Sequence, residues 1–267
     1  MEEKVLLIEK RDKVAVLTLN RPQNLNALNT ELLNIFMQTM MDLRKDDSVW
    51  AVVLTGNGRG FCSGADLRGG PRPVMDENTP RETRLDTLGW VGRLATSIYR
   101  TLDKPIIVAV NGVAAGAGMS VALACDMRIG CENSRFKTVF IERSLSTDTA
   151  MSYFLPRIVG YSRACDLVYT SRNVNAEEAF SMGLLDRLVT AEKLMGEAMA
   201  VANQIAAMPP IAMQSVRRVM QQSMDASFED QIRNETLGLI LSGRAPHDFK
   251  ESRDSFLEKR PPKFTGK

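Results

Sequence analysis

Two short stretches combine residue types that can do chemistry on a carbonyl oxygen. The first, VAVNGVAAGAGMSVALACD over residues 108–126, runs from β-branched residues through Asn111-Gly112 and a small-residue corner, Gly116-Ala117-Gly118, into residues that can coil into a buried helix. A helix starting at such a corner leaves its first-turn N–H groups without internal partners, and the aligned peptide dipoles give them partial positive charge. No bulky side chain at 116–118 keeps a ligand oxygen from the backbone, as an oxyanion hole of main-chain donors requires. The same corner suits a phosphate cradle, or glycines that merely let a helix pack closely on a sheet. Neither the third glycine of a dinucleotide fingerprint nor a Gly-Lys-Ser/Thr run follows it. The second stretch, FCSGADL at 61–67, also follows an apolar strand. Parallel strands carry both loops to one carboxyl edge, where ligands of open α/β sheets bind. One N–H from each can then meet on a single oxygen and stabilise an enolate or a tetrahedral oxyanion. Farther on, the polar elbow in SLSTDTAMSY carries Asp148, which by local sequence alone also suits a helix N-cap, while Glu142 reads as a surface glutamate.

The elements that must position these loops are legible from periodicity. Val5–Glu9 and Val14–Asn20 alternate as two strands of a hairpin, and Thr30 can cap a helix from Glu31 to about Lys45. Val49–Thr55 is a continuous apolar run, the kind buried on both faces, and it gives way to GNGRGFCSGADLRGG, which reads as irregular. Gly69–Pro80 reads as a mobile surface loop, and a helix is expected from about Arg81 to Leu102. Strand, helix and the strand Met127–Cys131 follow, so right-handed crossovers and a mostly parallel sheet are expected. Asn175 starts another helix and Leu184–Val189 a last strand. From about Met195 four helical patterns follow, separated by Pro209-Pro210, Asp225-Ala226-Ser227 and a turn ending at Pro246, so the chain is read as closing in an all-helical appendage.

Composition narrows the partners. Lys+Arg 34 against Asp+Glu 32 leaves a net charge of +2, no field that would gather nucleic acid or an acidic membrane. Cys62, Cys125, Cys131 and Cys165 have no metal spacing and read as reduced thiols of a cytoplasmic protein. The start of the chain lacks the layout of a signal peptide. The apolar run from Pro105 to Cys125 is broken by Asn111 and three glycines, which argues for a core element over a membrane span.

The paired loops, with NRPQNLNALN near the start, LPRIVG in the middle and FLEKRPPKFTG at the end, resemble the enoyl-CoA hydratase/isomerase (crotonase) superfamily over essentially the whole chain. The resemblance implies an α/β fold: a crotonase-like ββα spiral core over 1–194 and a helical trimerisation region over 195–267. It implies a homotrimer or dimer of trimers acting on an acyl-CoA thioester, with coenzyme A only as part of the substrate and neither metal nor further cofactor. By motif position the oxyanion donors are the N–H groups of Ala65 and Ala117, flanked by Gly116 and Gly118. Ala27, Leu28, Asp66 and Leu67 line the path of adenine and pantetheine, and Lys259 and Phe264 approach coenzyme A from the carboxy-terminal segment. Arg21, Arg59, Arg68 and Lys259-Arg260 can meet its phosphates, although solvated surface charge is the ordinary reading for each.

The departures from the family pattern concern acid and base. Ala117 stands where glycine is usual; its backbone donor survives and its methyl narrows the approach. Ser120 and Phe140 stand where hydratases of the family carry their two glutamates, so hydration by a glutamate pair is not expected. Ser120 can hold a water or a substrate carbonyl, or be a structural helix serine. Asp148 matches the aspartate of dienoyl-CoA and ring-opening epoxide/oxepin isomerases, naphthoate synthases and aromatic acyl-CoA dehalogenases. The expectation is isomerisation of a double bond in an unsaturated or ring-derived acyl-CoA with Asp148 as acid/base. The rivals are a hydrolytic halobenzoyl-CoA-type dehalogenase with Asp148 as nucleophile, a hydratase using non-standard groups, and a non-catalytic CoA-ester- or RNA-binding relative. The dehalogenase reading needs a nearby histidine and tryptophan, whereas the single histidine, His247, falls in the appendage and Phe140 occupies the tryptophan's place.

Overall fold

The structure, a computed structural model, describes residues 4–68 and 77–267; most of the loop anticipated over 69–80 lies outside the described residues. Its strands in chain order are β1 (Leu6–Arg11), β2 (Val14–Leu19), β3 (Ala51–Gly56), β4 (Gly60–Cys62), β5 (Ile106–Val110), β6 (Val113–Ala115), β7 (Met127–Cys131), β8 (Arg135–Lys137) and β9 (Arg187–Val189). They form a larger sheet in the order β1-β2-β3-β5-β7-β9 and a smaller one, β4-β6-β8. Among the paired strands of the described residues only β1–β2 is antiparallel; a single antiparallel bridge also joins Phe136 to Val174.

Each of β3, β5 and β7 runs through a tight corner into its partner in the smaller sheet and then into helical chain, so the expected ββα spiral is present. Its corners stack backbone on backbone. A Cβ on Gly112 would lie 2.1 Å from the Arg59 carbonyl oxygen, which is why only glycine fits there. Asn111 ties successive turns, accepting from the Gly56 amide at 3.1 Å and donating to the Gly58 carbonyl at 2.8 Å.

The helices are α1 (Thr30–Lys45), α2 (Arg81–Leu85), α3 (Gly89–Thr96), α4 (Ala117–Ala124), α5 (Met151–Val159), α6 (Tyr161–Thr170), α7 (Ala176–Ser181), α8 (Leu194–Ala206), α9 (Pro210–Gln222), α10 (Phe228–Ser242) and α11 (Pro246–Leu257). One face of the larger sheet packs on a core shared with α1, α4 and α5, and the other on Leu194, Ala198, Val201 and Ala202 of α8. Burial on both faces explains why β3 and β5 read as unbroken apolar runs. Although α8 begins at the expected domain boundary, its buried side chains pack on the larger sheet; α9–α11 place no residue in either core cluster.

Three local expectations need correction. Phe61-Cys62 and Val113–Ala115 are strands of the smaller sheet rather than loop, so the two glycine-bearing corners at Gly64 and Gly116 open from its carboxyl end. The single helix expected over 81–102 is broken at Asp86, whose carboxylate accepts from the Leu88 and Gly89 amides at 3.0 and 3.1 Å; Gly89 then takes φ +59°, and a π-turn covers Ser97–Thr101. Asn29, not Thr30, caps α1, its side chain accepting from the Leu32 amide at 2.9 Å.

Candidate functional site

The carboxyl ends of β4 and β6 deliver Gly64-Ala65 and Gly116-Ala117 side by side. The segment through Leu28 pairs with the first of these bends: its amide donates to the Gly64 carbonyl at 2.8 Å, and its carbonyl accepts from the Asp66 amide at 3.0 Å. Ladder alternation turns the Ala65 N–H away from that pairing. Gly64 has φ +94°, and a Cβ there would sit 2.7 Å from the Ala115 carbonyl oxygen and 3.4 Å from the Ala117 nitrogen, so the two bends touch. Gly116 has φ +51° and caps α4, which makes Ala117 its first residue. Among the described residues neither the Ala65 nor the Ala117 amide donates a hydrogen bond. Two unpartnered donors on touching bends, one at a helix N-terminus, form a concentrated positive potential for a developing oxyanion.

Gly118 fixes the approach of α4 to β4. A Cβ there would lie 2.1 Å from the Cys62 carbonyl oxygen and 2.8 Å from its Cβ. Those neighbours include backbone that cannot yield, so Gly118→Ala is expected to destabilise by about 3 kcal/mol and lower the thermal midpoint by roughly 5–10 °C in a calorimetric scan. An unchanged midpoint would contradict this packing.

Asp148 reaches the same neighbourhood through its main chain. Ser120, one turn into α4 and fully buried, lies with its hydroxyl oxygen 3.2 Å from the Asp148 carbonyl oxygen. The local reading of Asp148 as an N-cap fails: Ala150 occupies that position, in left-handed conformation and with no side-chain cap. The half-buried Asp148 carboxylate instead accepts from the Thr149 hydroxyl at 3.0 Å. Burial pushes its pKa above the ordinary carboxylate range, with Thr149 opposing the shift, and among the described residues no cation pairs with it. A carboxylate raised in this way is a better base near neutral pH than one held down by an arginine.

The other candidates divide. Phe140 is buried in the core and Glu142 is an exposed partner of Lys137 at 2.7 Å, so neither supplies a second base. His247 contacts Asp248 and the Thr265 hydroxyl at the end of the chain, away from the elbow. Asp66 is held below the usual carboxylate range by the Arg68 amide and by the Arg21 guanidinium, which pairs with it at 2.8 Å and also donates to the Ala27 carbonyl. Arg21 therefore clamps the 27–28 and 65–67 segments together. Ala27 and Leu28 are buried, whereas Leu67, Arg59 and Arg68 are exposed and open to a ligand. Lys259 is exposed and Arg260 is held by Glu251 and Glu258. Phe264 packs against the α8 side of the sheet, the face opposite Ala117, so within one chain it is not brought to the bends.

An apolar groove of about 350 Å³ opens beside the elbow, lined by Phe140, Leu145, Thr147, Met151, Tyr161 and Tyr169; neither Ala65 nor Ala117 is part of its lining. Sequence reasoning missed two contributors. The Gly64 close approach is legible only as a glycine in a motif, and the left-handed residues Thr149 (φ 48°) and Ala150 (φ 60°) carry no sequence signal at all. Among the described residues no group of acidic, histidine or cysteine side chains could hold a metal ion, and no helix is long and apolar enough to cross a membrane.

Comparison with known proteins agrees with this architecture. The family model described as enoyl-CoA hydratase/isomerase matches residues 9–267. The chain is 34% identical over 265 residues to the short-chain-enoyl-CoA hydratase of Clostridium acetobutylicum, covering 97% of each chain. It is also 34% identical over 258 residues to the 1,2-epoxyphenylacetyl-CoA isomerase of Escherichia coli, covering 95% of each. The crystal structure of a probable enoyl-CoA hydratase/isomerase from Mycobacterium abscessus superposes with a TM-score of 0.87 at 35% identity, over 99% of this chain and 100% of that one. A match spanning both bends, the elbow and the carboxy-terminal helices leaves one conclusion: this chain belongs to the enoyl-CoA hydratase/isomerase family.

Proposed function

We propose that the protein isomerises a carbon–carbon double bond in an unsaturated or ring-derived acyl-CoA. The thioester oxygen accepts hydrogen bonds from the Ala65 and Ala117 amides. Asp148 removes a proton from the carbon beside the carbonyl, so the C–H pair enters an enolate whose negative charge rests on that oxygen. The resulting carboxylic acid returns the proton to a carbon farther along the conjugated system, and the double bond shifts with no net gain or loss of atoms. One observation carries this reading: Asp148 is a half-buried carboxylate beside α4 with no cationic partner among the described residues, while Ser120 and Phe140 stand where the resemblance places the two glutamates of the family's hydratases. The Escherichia coli relative is an isomerase by name, which supports this reading, and the Clostridium relative is a hydratase by name. Hydration by other groups is therefore the second reading.

Coenzyme A is proposed to enter only as part of the substrate, over Ala27, Leu28, Asp66 and Leu67, with Lys259 and Phe264 reaching it from another copy. Exposed Phe228, Ile232, Leu239 and Phe256 on α10 and α11 are proposed to pack in a trimer or dimer of trimers, which light scattering would report as three or six chain masses. The proposed location is the cytoplasm, where the buried thiols of Cys62, Cys125 and Cys131 stay reduced.

The test is product analysis by mass spectrometry and ultraviolet absorbance over enoyl-, dienoyl-, phenylacetyl-derived and halobenzoyl-CoA esters. The expected result is a shifted double bond at unchanged mass for at least one ester. A product heavier by one water would establish hydration, halide release would establish dehalogenation, and each would overturn isomerisation.

A further inference from the structure

We infer that Ser120 is a positioning residue that sets where Asp148 stands relative to the oxyanion helix; the inference rests on the reading of Asp148 as the base. Resemblance places Ser120 where a hydratase carries a glutamate aimed at water. Here the side chain is fully buried and its hydroxyl has protein acceptors, the Asp148 carbonyl at 3.2 Å and the Gly116 carbonyl at 3.4 Å.

A helical serine ordinarily bonds back to the carbonyl four residues earlier. That acceptor, Gly116, already takes the Ser120 amide at 3.0 Å, and it is the farther of the two from the hydroxyl. The single hydroxyl hydrogen is therefore best used on Asp148, 28 residues away in sequence. The Asp148 carbonyl also accepts from the Met151 amide at 2.9 Å, so both of its lone pairs are engaged.

The elbow needs such an anchor. Thr149 and Ala150, the two residues after Asp148, are both left-handed, with φ of 48° and 60° and no glycine between them. Conformations of this kind persist only where surrounding contacts over-determine them. Thr149 is buried, and its hydroxyl donates to the carboxylate itself. One hydroxyl on α4 thus links the helix that presents Ala117 to the main chain that presents the base, both Ala117 and Ser120 lying in the first turn of that helix. The Ser120 hydroxyl contacts the substrate in neither step of the isomerisation.

The test compares Ser120→Ala with Ser120→Cys, which keeps a weak donor of similar size. Turnover is measured with trans-3-hexenoyl-CoA, binding with saturated hexanoyl-CoA, and the Asp148 carboxyl is titrated by carbon-13 NMR without substrate. Among the described residues the only side chain bonded to that carboxyl is Thr149, so no neighbouring charge complicates the titration. Ser120→Ala is expected to lower kcat at least about tenfold, as small misplacements of a catalytic group do. Its KM and hexanoyl-CoA affinity should stay within about twofold. The Asp148 titration and the acid limb of the kcat profile should move together to lower pH as the released elbow takes on water, and Ser120→Cys should recover part of each. An Asp148 titration identical to wild type in Ser120→Ala would overturn the inference whether or not hexenoyl-CoA is turned over. So would a raised KM at constant kcat, which would make Ser120 a substrate contact. If Asp148→Asn retains turnover, the base assignment itself falls; if Asp148→Asn is inactive and Ser120→Ala behaves as wild type, only the role given to Ser120 falls.

Discussion

Asp148→Asn is expected to lower turnover of an unsaturated acyl-CoA about a thousandfold while leaving the affinity for a saturated acyl-CoA within about twofold. General acid–base groups contribute roughly 10²–10⁴-fold, and among the described residues no second carboxylate shares the elbow to take over the task. Amide for carboxylate is nearly isosteric, and the side-chain oxygen can still accept from Thr149, so the elbow keeps its shape.

The same substitution is expected to stabilise the fold. Burial raises the Asp148 pKa, so the folded state holds its proton more tightly than the unfolded chain. Its favourable contribution is complete below the unfolded carboxylate pKa and is lost as pH rises through the folded value. At neutral pH the native protein carries a desolvated anion that the Asp148→Asn variant lacks. Thermal midpoints should therefore favour Asp148→Asn at pH 7 and converge with wild type in acid. Turnover by wild type should fall as acid protonates the base. A variant less stable than wild type at pH 7 would mean that the carboxylate makes stabilising contacts which its hydrogen bonding does not reveal.

Ala117→Pro is the second large effect. Proline removes the amide hydrogen at the first position of α4, where helices tolerate it because that N–H has no internal partner. The expected loss in kcat is about 10²–10³-fold, the range for removing one oxyanion donor, with the thermal midpoint within a few degrees of wild type. Turnover within a factor of a few would mean that the amide of Ala117 does not hold the thioester oxygen. A collapsed thermal midpoint would instead show that the proline ring cannot be seated beside Gly116, and Ala65→Pro would then carry the test.

The split between what is legible in the sequence and what is not has a physical pattern. The apolar runs that form β3 and β5, the glycine corner and the helical stripes of α9–α11 are readable because burial imposes periodicity on side chains. The strands β4 and β6 are hidden because each is three residues long and lies inside a glycine-bearing loop, so no period can develop. α8 reads as appendage because its helical pattern cannot say which layer it covers. At the site, the small-residue bends that bring Gly64-Ala65 and Gly116-Ala117 together are legible as glycine-bearing corners, and the resemblance singles out the Ala65 and Ala117 amides within them. The anchoring of Asp148 by Ser120 is not, because a hydrogen bond across 28 residues leaves no trace in local pattern. The clamp between Arg21 and Asp66 is hidden for the same reason: two charges in separate loops each look solvated until the fold pairs them.

The most direct measurement follows deuterium from solvent into trans-3-hexenoyl-CoA by NMR, using wild type and Asp148→Asn at equal saturation. If two amides hold the thioester oxygen while Asp148 carries the proton, wild type will exchange at C2 and deliver deuterium to C4 of the conjugated product, and Asp148→Asn will do neither while still binding the ester. Exchange that survives in Asp148→Asn, or a wild-type product bearing a hydroxyl at C3, would contradict that chemistry.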